Sequence, residues 1–473
     1  MNKVSKEACA TMPGTAKMQS VKLKGHQGQV LCLDHSSSRS MNDSSHPHAS
    51  SVTAACLLSG SEDATARLWD LRASCRAALC IKTAGEVLSV AFGPSWEPST
   101  SANNDAPSPF SRDYTVYLSV ENSVVAYDLR KTNSPILTEP PAWDLTPILE
   151  SPDEVNQIAF SPDRRGRPLH LAAADDSGSV RVTDWLEPSK DGKPVSQPSG
   201  RKRILPHGEY DLQQQQQSSD IDPTAAIAAM VTSVAFRPRC KNLELASGGT
   251  DCTVQLWDVN KPERPLSVLK ITNSDAGANQ VCNPPMVHGL QWSPSGRLLA
   301  AACGDGSCCL MQADNRSLVL AARLEAHGGA LASVVFPEWS TNSSTILNDD
   351  AAASRQTQHV AAHDRLLLTA GNDGFILLWD LGSMLAGEGA RDPADFLQLP
   401  SNNGTMAAQM GDLSLGGDNN DDNDGQPKIL CSIPHGAKPN WMVSSRGRDP
   451  VFPSSIFVAD TSNDITAYTI PLQ

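Results

Sequence analysis

The chain has 473 residues, with 52 acidic against 38 basic side chains and a formal net charge of −14. That balance disfavours a general affinity for phosphate backbones or anionic lipid, so neither direct nucleic acid nor a membrane is expected as a partner. The opening stretch MNKVSKEACATMPGTAKMQS has no apolar run of signal-peptide length. No later segment reaches the roughly 18 unbroken apolar residues of a helical span, so an intracellular protein of cytoplasm or nucleus is expected.

Residues 1–18 read as a disordered tail, after which one apolar pattern recurs along the chain. It reads apolar-x-x-apolar-x-aromatic-x-Pro in VLSVAFGP from Val87, VNQIAFSP from Val155, VTSVAFRP from Val231 and VHGLQWSP from Val287. LASVVFP from Leu331 is a fifth copy with its proline one place early. VLCLDH from Val30 and NWMVSS from Asn440 are weaker first and last members, which makes seven.

Each copy is followed by a second apolar run, a Gly/Asp turn and a third strand. Three of these align without gaps: LLSGSEDATARLWD, LASGGTDCTVQLWD and LLTAGNDGFILLWD. In them Trp69, Trp257 and Trp379 follow Asp63, Asp251 and Asp373 by six residues, and Ser59, Ser247 and Thr369 by ten. Alternating β-branched and polar residues around such turns describe antiparallel four-stranded units, and units of about 40 residues closing on Trp-Asp are a propeller signature. Four units depart from it: Tyr127, Tyr468, Met311 and, after a one-residue shift, Thr183 stand where Trp is expected. Such blades are expected to rely on packing.

The fold expected is all-β, a single seven-bladed propeller over residues 19–473. MQSVKLKG has no blade of its own and the last repeat lacks a fourth strand, so residues 19–25 are expected to complete the blade of residues 440–471. Low-complexity insertions are expected near 35–51, 95–112, 132–152, 187–229, 337–364 and 382–427, where low hydrophobicity cannot offset the entropy of ordering.

These repeats resemble the WD-repeat β-propeller family over nearly all of residues 20–471. In that family a histidine, a Ser/Thr, the turn Asp and the third-strand Trp form a hydrogen-bonded set. The resemblance implies one such set from His26, Ser59, Asp63 and Trp69, and another from His327, Thr369, Asp373 and Trp379. For the third clean repeat it names Ser247, Asp251 and Trp257, with no histidine assigned. All are read as structural, not catalytic.

Little chemistry is left over. There is no GxxxxGK loop, HExxH or GxSxG elbow, and no cofactor is expected. His35, His46 and His48 read as a solvated loop and not as a metal site. The 12 cysteines include no CxxC pair and read as small buried apolar residues, with adjacent Cys308 and Cys309 on opposite strand faces. The sequons at Asn42, Asn315, Asn342 and Asn403 carry no reading without a secretory signal, and GRKR at 200–203 reads as a polar strand edge.

Two third strands end in aromatic-Asp-Leu-Arg, WDLR at Trp69 to Arg72 and YDLR at Tyr127 to Arg130, whereas the other clean repeats read WDVN at Asn260 and WDLG at Gly382. Asp70, Arg72, Asp128 and Arg130 are therefore placed on one face of adjacent blades. The guanidinium fork suits contact with a partner's carboxylates or carbonyls, although each arginine can also be a solvated loop cation. The fragment resembles the DWD box of substrate receptors for cullin-4 ubiquitin ligases: Leu57, Leu58, Ser59, Gly60, Ser61, Asp63, Leu68, Trp69, Asp70 and Arg72 match, while Ala66 replaces a larger aliphatic residue. That resemblance implies docking to the damaged-DNA-binding protein adaptor by a monomeric propeller within a complex. The chain also resembles the WD repeat-containing protein 53 group through KGHQGQVLCLD, AADDSGSVRV, PHGAKPNWM and FVADTSNDITAY. A substrate receptor and a scaffold of an unrelated complex remain as readings, with an enzyme assembled from loops as a third.

Overall fold

A computed structural model describes residues 18–36, 56–71, 76–93, 115–129, 136–137, 147–161, 169–185, 202–208, 229–272, 283–314, 316–337, 339, 364–382, 427–445 and 454–470. They form seven antiparallel sheets that follow one another along the chain. Blade 1 comprises strands Val30–His35, Cys56–Ser61, Thr65–Asp70 and Arg76–Lys82, and blade 2 Val87–Phe92, Thr115–Val120, Ser123–Asp128 and Leu149–Glu150. Blade 3 comprises Val155–Phe160, Leu169–Asp175, Val180–Trp185 and Arg203–Leu205, and blade 4 Val231–Phe236, Glu244–Gly249, Thr253–Asp258 and Ser267–Lys270. Blade 5 is Val287–Trp292, Leu298–Cys303, Ser307–Asp314 and Ser317–Glu325, and blade 6 Leu331–Val335, Leu366–Gly371, Phe375–Asp380 and Lys428–Pro434. Blade 7 takes Pro439–Ser444, Ser455–Asp460 and Asp464–Thr469 from the end of the chain and its outer strand, Gln19–Lys24, from the beginning. Gln19 pairs with Thr469 and Lys24 with Asp464, so the two ends of the described chain lie in one sheet.

The core is a set of wedges between blades. Val30, Leu33, Leu57 and Trp69 of blade 1 pack on Leu23, Phe457, Ala459 and Ile465 of blade 7, and similar clusters separate the other blades. Gly60 shows how close the approach is. A Cβ there would stand 2.6 Å from both Cys32 Sγ and a Val87 methyl of the next blade.

Every inner strand carries a one-residue β-bulge at its second position. This explains a spacing that plain strand alternation does not. In a regular strand Val231 and Val234 would face opposite sides, but one extra residue between them restores the phase. Val231, Val234 and Phe236 accordingly share one cluster, as do Val287, Leu290 and Trp292.

Parts of the stretches read as insertions belong to the sheets. Residues 149–150 and 203–205 are the outer strands of blades 2 and 3, and Ile136–Leu137 adds a short fifth strand, parallel to Cys80–Ile81, to blade 1. His35 is not solvated: it ends the inner strand of blade 1, is buried, and stacks on Phe457 with ring centroids 5.5 Å apart. Its ring is amphipathic enough to close that wedge. His46, His48 and most of the remainder of the six stretches, with residues 1–17, lie outside the described residues. Cys308 and Cys309 do face opposite inter-blade clusters.

Candidate interaction surfaces

A histidine links the repeated Ser and Trp to the Asp of the turn between the second and third strands. In blade 1 the Trp69 indole N–H donates to Ser59 Oγ at 2.9 Å, and Ser59 Oγ lies 2.7 Å from His26 Nε2. An ionised carboxylate can only accept, so His26 donates from Nδ1 to Asp63 at 3.1 Å, and the neutral ring's Nε2 accepts the serine proton. Asp63 also accepts from the Gln27 and Thr65 main-chain N–H groups. Burial alone would raise the Asp63 carboxyl, but these hydrogen bonds hold it below the usual carboxylate range, while burial lowers His26.

Blade 6 repeats the arrangement: Trp379 to Thr369 at 3.0 Å, Thr369 to His327 at 3.0 Å and His327 to Asp373 at 2.9 Å. In blade 4 Trp257 donates to Ser247 at 2.8 Å, and the histidine is His207, which reaches Ser247 through Nδ1 at 2.7 Å and Asp251 through Nε2 at 3.3 Å. His207 lies inside the stretch read as an insertion. Its signal is the dipeptide His-Gly before an inner strand, present at 207–208, 327–328 and 435–436.

The last of these marks a fourth histidine. His435 Nδ1 is 2.8 Å from the Tyr468 hydroxyl and its Nε2 is 2.9 Å from Asp460. Tyr468 thus does not rely on packing alone, because its hydroxyl reaches the histidine that an indole would reach through serine. Asp460 ends the second strand, which places it off the six-residue spacing. Thr183 and Met311 fill the Trp register as buried residues, and the Thr183 hydroxyl has no hydrogen-bond partner among the described residues.

At the opposite ends of the third strands stand the Trp-Asp aspartates. Asp258 accepts from the Asn260 N–H at 3.1 Å and Asp380 from the Gly382 N–H at 2.9 Å, so this aspartate closes the turn that follows it. Arg365 makes two hydrogen bonds to Asp380, at 2.5 and 2.7 Å. Asp70 and Asp128 end the third strands of adjacent blades 1 and 2. Arg72, Arg130 and the Asp128 side chain lie outside the described residues.

The bulged residues converge on the ring's axis and line a cavity of about 350 Å³. Polar ones bond to the next blade: Asn156 to the Val231 carbonyl at 3.0 Å, His288 to that of Leu331 at 3.0 Å, and Thr232 to that of Val287. Leu31, Leu88 and Ala332 are the apolar members. Sequence reading did not single out this ring.

The repeat geometry is matched by comparison with known proteins. The WD domain, G-beta repeat family matches residues 17–70 and 225–258, and the anaphase-promoting complex subunit 4 WD40 domain family matches residues 267–342. The chain is a WD-repeat β-propeller, a class of interaction scaffold. Over 463 residues it is 23% identical to the WD repeat-containing protein 53 homolog of Dictyostelium discoideum, covering 95% of this chain and 94% of that protein. It is 32% identical over 125 residues to WD repeat-containing protein VIP3 of Arabidopsis thaliana, 25% of this chain and 38% of that one. In fold it is similar to the β-propeller domain of Cps50 (Swd1) from Myceliophteria thermophila, with a TM-score of 0.54, 12% identity, and coverage of 96% of this chain and all of that one.

Proposed function

We propose that the protein is a non-enzymatic scaffold acting inside the cell as a substrate receptor of a cullin-4 ubiquitin ligase. The observation that carries this reading is the pair of Asp-Leu-Arg sequences that follow the third strands of adjacent blades 1 and 2. In that reading Arg72 and Arg130 contact the damaged-DNA-binding protein adaptor, and Asp70 and Asp128 hold the turns, as Asp258 and Asp380 do in blades 4 and 6. Affinity capture of the tagged full chain from cells, followed by mass spectrometry, tests it: the adaptor and its cullin should be recovered.

A scaffold in an unrelated complex is the second reading. It is favoured by the match of residues 267–342 to a domain family named for a subunit of the anaphase-promoting complex. Capture of a stable assembly lacking the cullin-4 adaptor would establish it instead.

A further inference from the structure

Blades 4 and 5 have only short connections at the face where their third strands end: residues 237–243 and 259–266 in blade 4, and 293–297 and 315–316 in blade 5. Together these connections hold seven Lys and Arg against one acidic residue, Glu263, in a chain whose acids outnumber its bases 52 to 38. Positive charge is therefore concentrated here against the trend of the molecule.

Two of the cations tie the surface together. The Arg237 guanidinium lies 5.3 Å from the Trp292 ring centroid and donates to the Gly296 carbonyl at 2.7 Å and to Glu244 at 2.8 Å, which pins a connection of blade 4 to one of blade 5. Arg316 of blade 5 reaches Asp258 of blade 4 at 3.5 Å, and the Asp258 carbonyl accepts the Lys261 N–H at 2.7 Å. The strand-end carboxylates Glu244 and Asp258 are buried and already taken by these two arginines. Arg239, Lys261, Arg264 and Arg297 remain exposed, with no ion pair among the described residues, against the exposed acids Glu263 and Asp314.

We propose that this surface receives an extended, acidic peptide segment of a partner protein, its carboxylates spread over Arg239, Lys261, Arg264 and Arg297. The guanidinium fork matches a carboxylate in geometry, and cations held on short, bonded turns lose little freedom when they are engaged. Nucleic acid fits less well. The surface has no exposed aromatic ring for a base to stack on, since Trp292 is buried, and the net charge of −14 repels a long polyanion. A membrane fits less well too, because the exposed large apolar residues described lie on strands or, for Met230, ahead of an inner strand, and none lies on these connections. The surface shares its face with Asp70 and Asp128, since Glu244 pairs with Asp258 as Cys56 does with Asp70, but blade 3 stands between. It therefore adds a client surface to the scaffold without resting on the ligase reading.

Fluorescence anisotropy with a labelled peptide of alternating glycine and glutamate, set against its glycine–glutamine counterpart, tests this at physiological salt. The full chain should bind the glutamate peptide one to one and leave the glutamine peptide free. Arg239→Gln with Arg297→Gln, and separately Lys261→Gln with Arg264→Gln, should each weaken binding by about tenfold at an unchanged melting temperature. Lys82→Gln with Lys270→Gln makes the same charge change at the opposite ends of the blades, where these lysines pair with Thr65 and Thr253, and should leave binding unchanged. No binding by the wild type would overturn the proposal, as would equal losses in all three doubles, or tighter binding of an oligothymidylate or of phosphatidylserine vesicles. Binding that appears only when Asp418, Asp421, Asp422 and Asp424 are changed to Asn would also overturn it, by assigning the surface to the chain's own acidic run. Arg72→Ala with Arg130→Ala should retain the peptide, so this proposal and the ligase reading fail separately.

Discussion

Asn440 donates its side-chain amide to the carbonyl of Val30, 410 residues earlier, at 2.9 Å. The bond joins the inner strands of blades 7 and 1 beside the seam where Gln19–Lys24 completes blade 7. Asn440→Ala should cost about 1 kcal/mol, the usual net worth of one such bond. Deleting residues 1–24 should cost far more, because it exposes a whole sheet edge and unseats buried Leu23. Urea midpoints of the two variants check the order, and a deletion no worse than Asn440→Ala would show that the seam does not hold the ring.

The His-Ser/Thr-Asp-Trp sets act as connected units. Asp251→Ala or Asp373→Ala should each lower stability by about 1 to 3 kcal/mol through unpaired turn donors and an orphaned histidine. His207→Ala should cost a similar amount, and His207→Ala with Asp251→Ala should cost clearly less than the sum, since each already breaks the other's bond. Chemical denaturation of the double-mutant cycle gives the coupling. Strict additivity would mean that His207 does not belong to the set.

The residue after each turn aspartate adopts left-handed backbone: Ala64 at φ 55°, Cys252 at φ 62° and Gly374 at φ 81°. Only glycine takes this conformation without strain. Ala64→Gly and Cys252→Gly should therefore be neutral or stabilising by up to about 1 kcal/mol, and Gly374→Ala destabilising by about 1 kcal/mol. A Cβ at Gly374 would meet nothing nearer than 3.7 Å, so that cost is conformational. Thermal melts of the three variants read the signs directly.

Acid should weaken the ring in two stages. Burial lowers His26 below its ordinary 6.5, so the unfolded chain takes up that proton first and stability begins to fall as pH drops through that value. Asp63, Asp251, Asp373 and Asp460 all lie below their ordinary 3.8, because hydrogen bonds from histidines and turns outweigh the upward push of burial. Their contribution is complete above 3.8 and is lost as pH falls through the lower folded values. Melting temperature between about pH 7 and pH 3 should fall, and Asp373→Asn should flatten its acid limb. An acid limb left unchanged by that substitution would contradict the assignment.

The blades were legible because what defines them is local. Ser59, Asp63 and Trp69 lie within one hairpin, so their spacing is fixed by strand pairing and repeats in any blade built alike. His207 escaped because it lies 40 residues before Ser247 in the chain, and its own neighbourhood reads as glutamine-rich insertion. Asp460 escaped because it serves His435 from the end of a strand and not from the turn. The channel ring was hidden by the bulge, which only pairing register displays: Asn156, Thr232 and His288 look like variable positions within a strand. Gly382 takes φ 56°, where alanine would be strained, so Gly382→Asn is the control substitution for that turn.

Arg72 and Arg130 carry the proposed adaptor contact, and direct binding of the purified chain to the purified cullin-4 adaptor tests it. Titration calorimetry should show saturable binding by the wild type and by Asn260→Ala with Gly382→Asn. Arg72→Ala with Arg130→Ala should lose about 2 kcal/mol or more of binding free energy, as expected when interface arginines are truncated, at an unchanged melting temperature. Wild-type protein that does not bind the adaptor, or a double arginine variant that binds it equally well, would contradict the claim and leave the chain a scaffold of some other assembly.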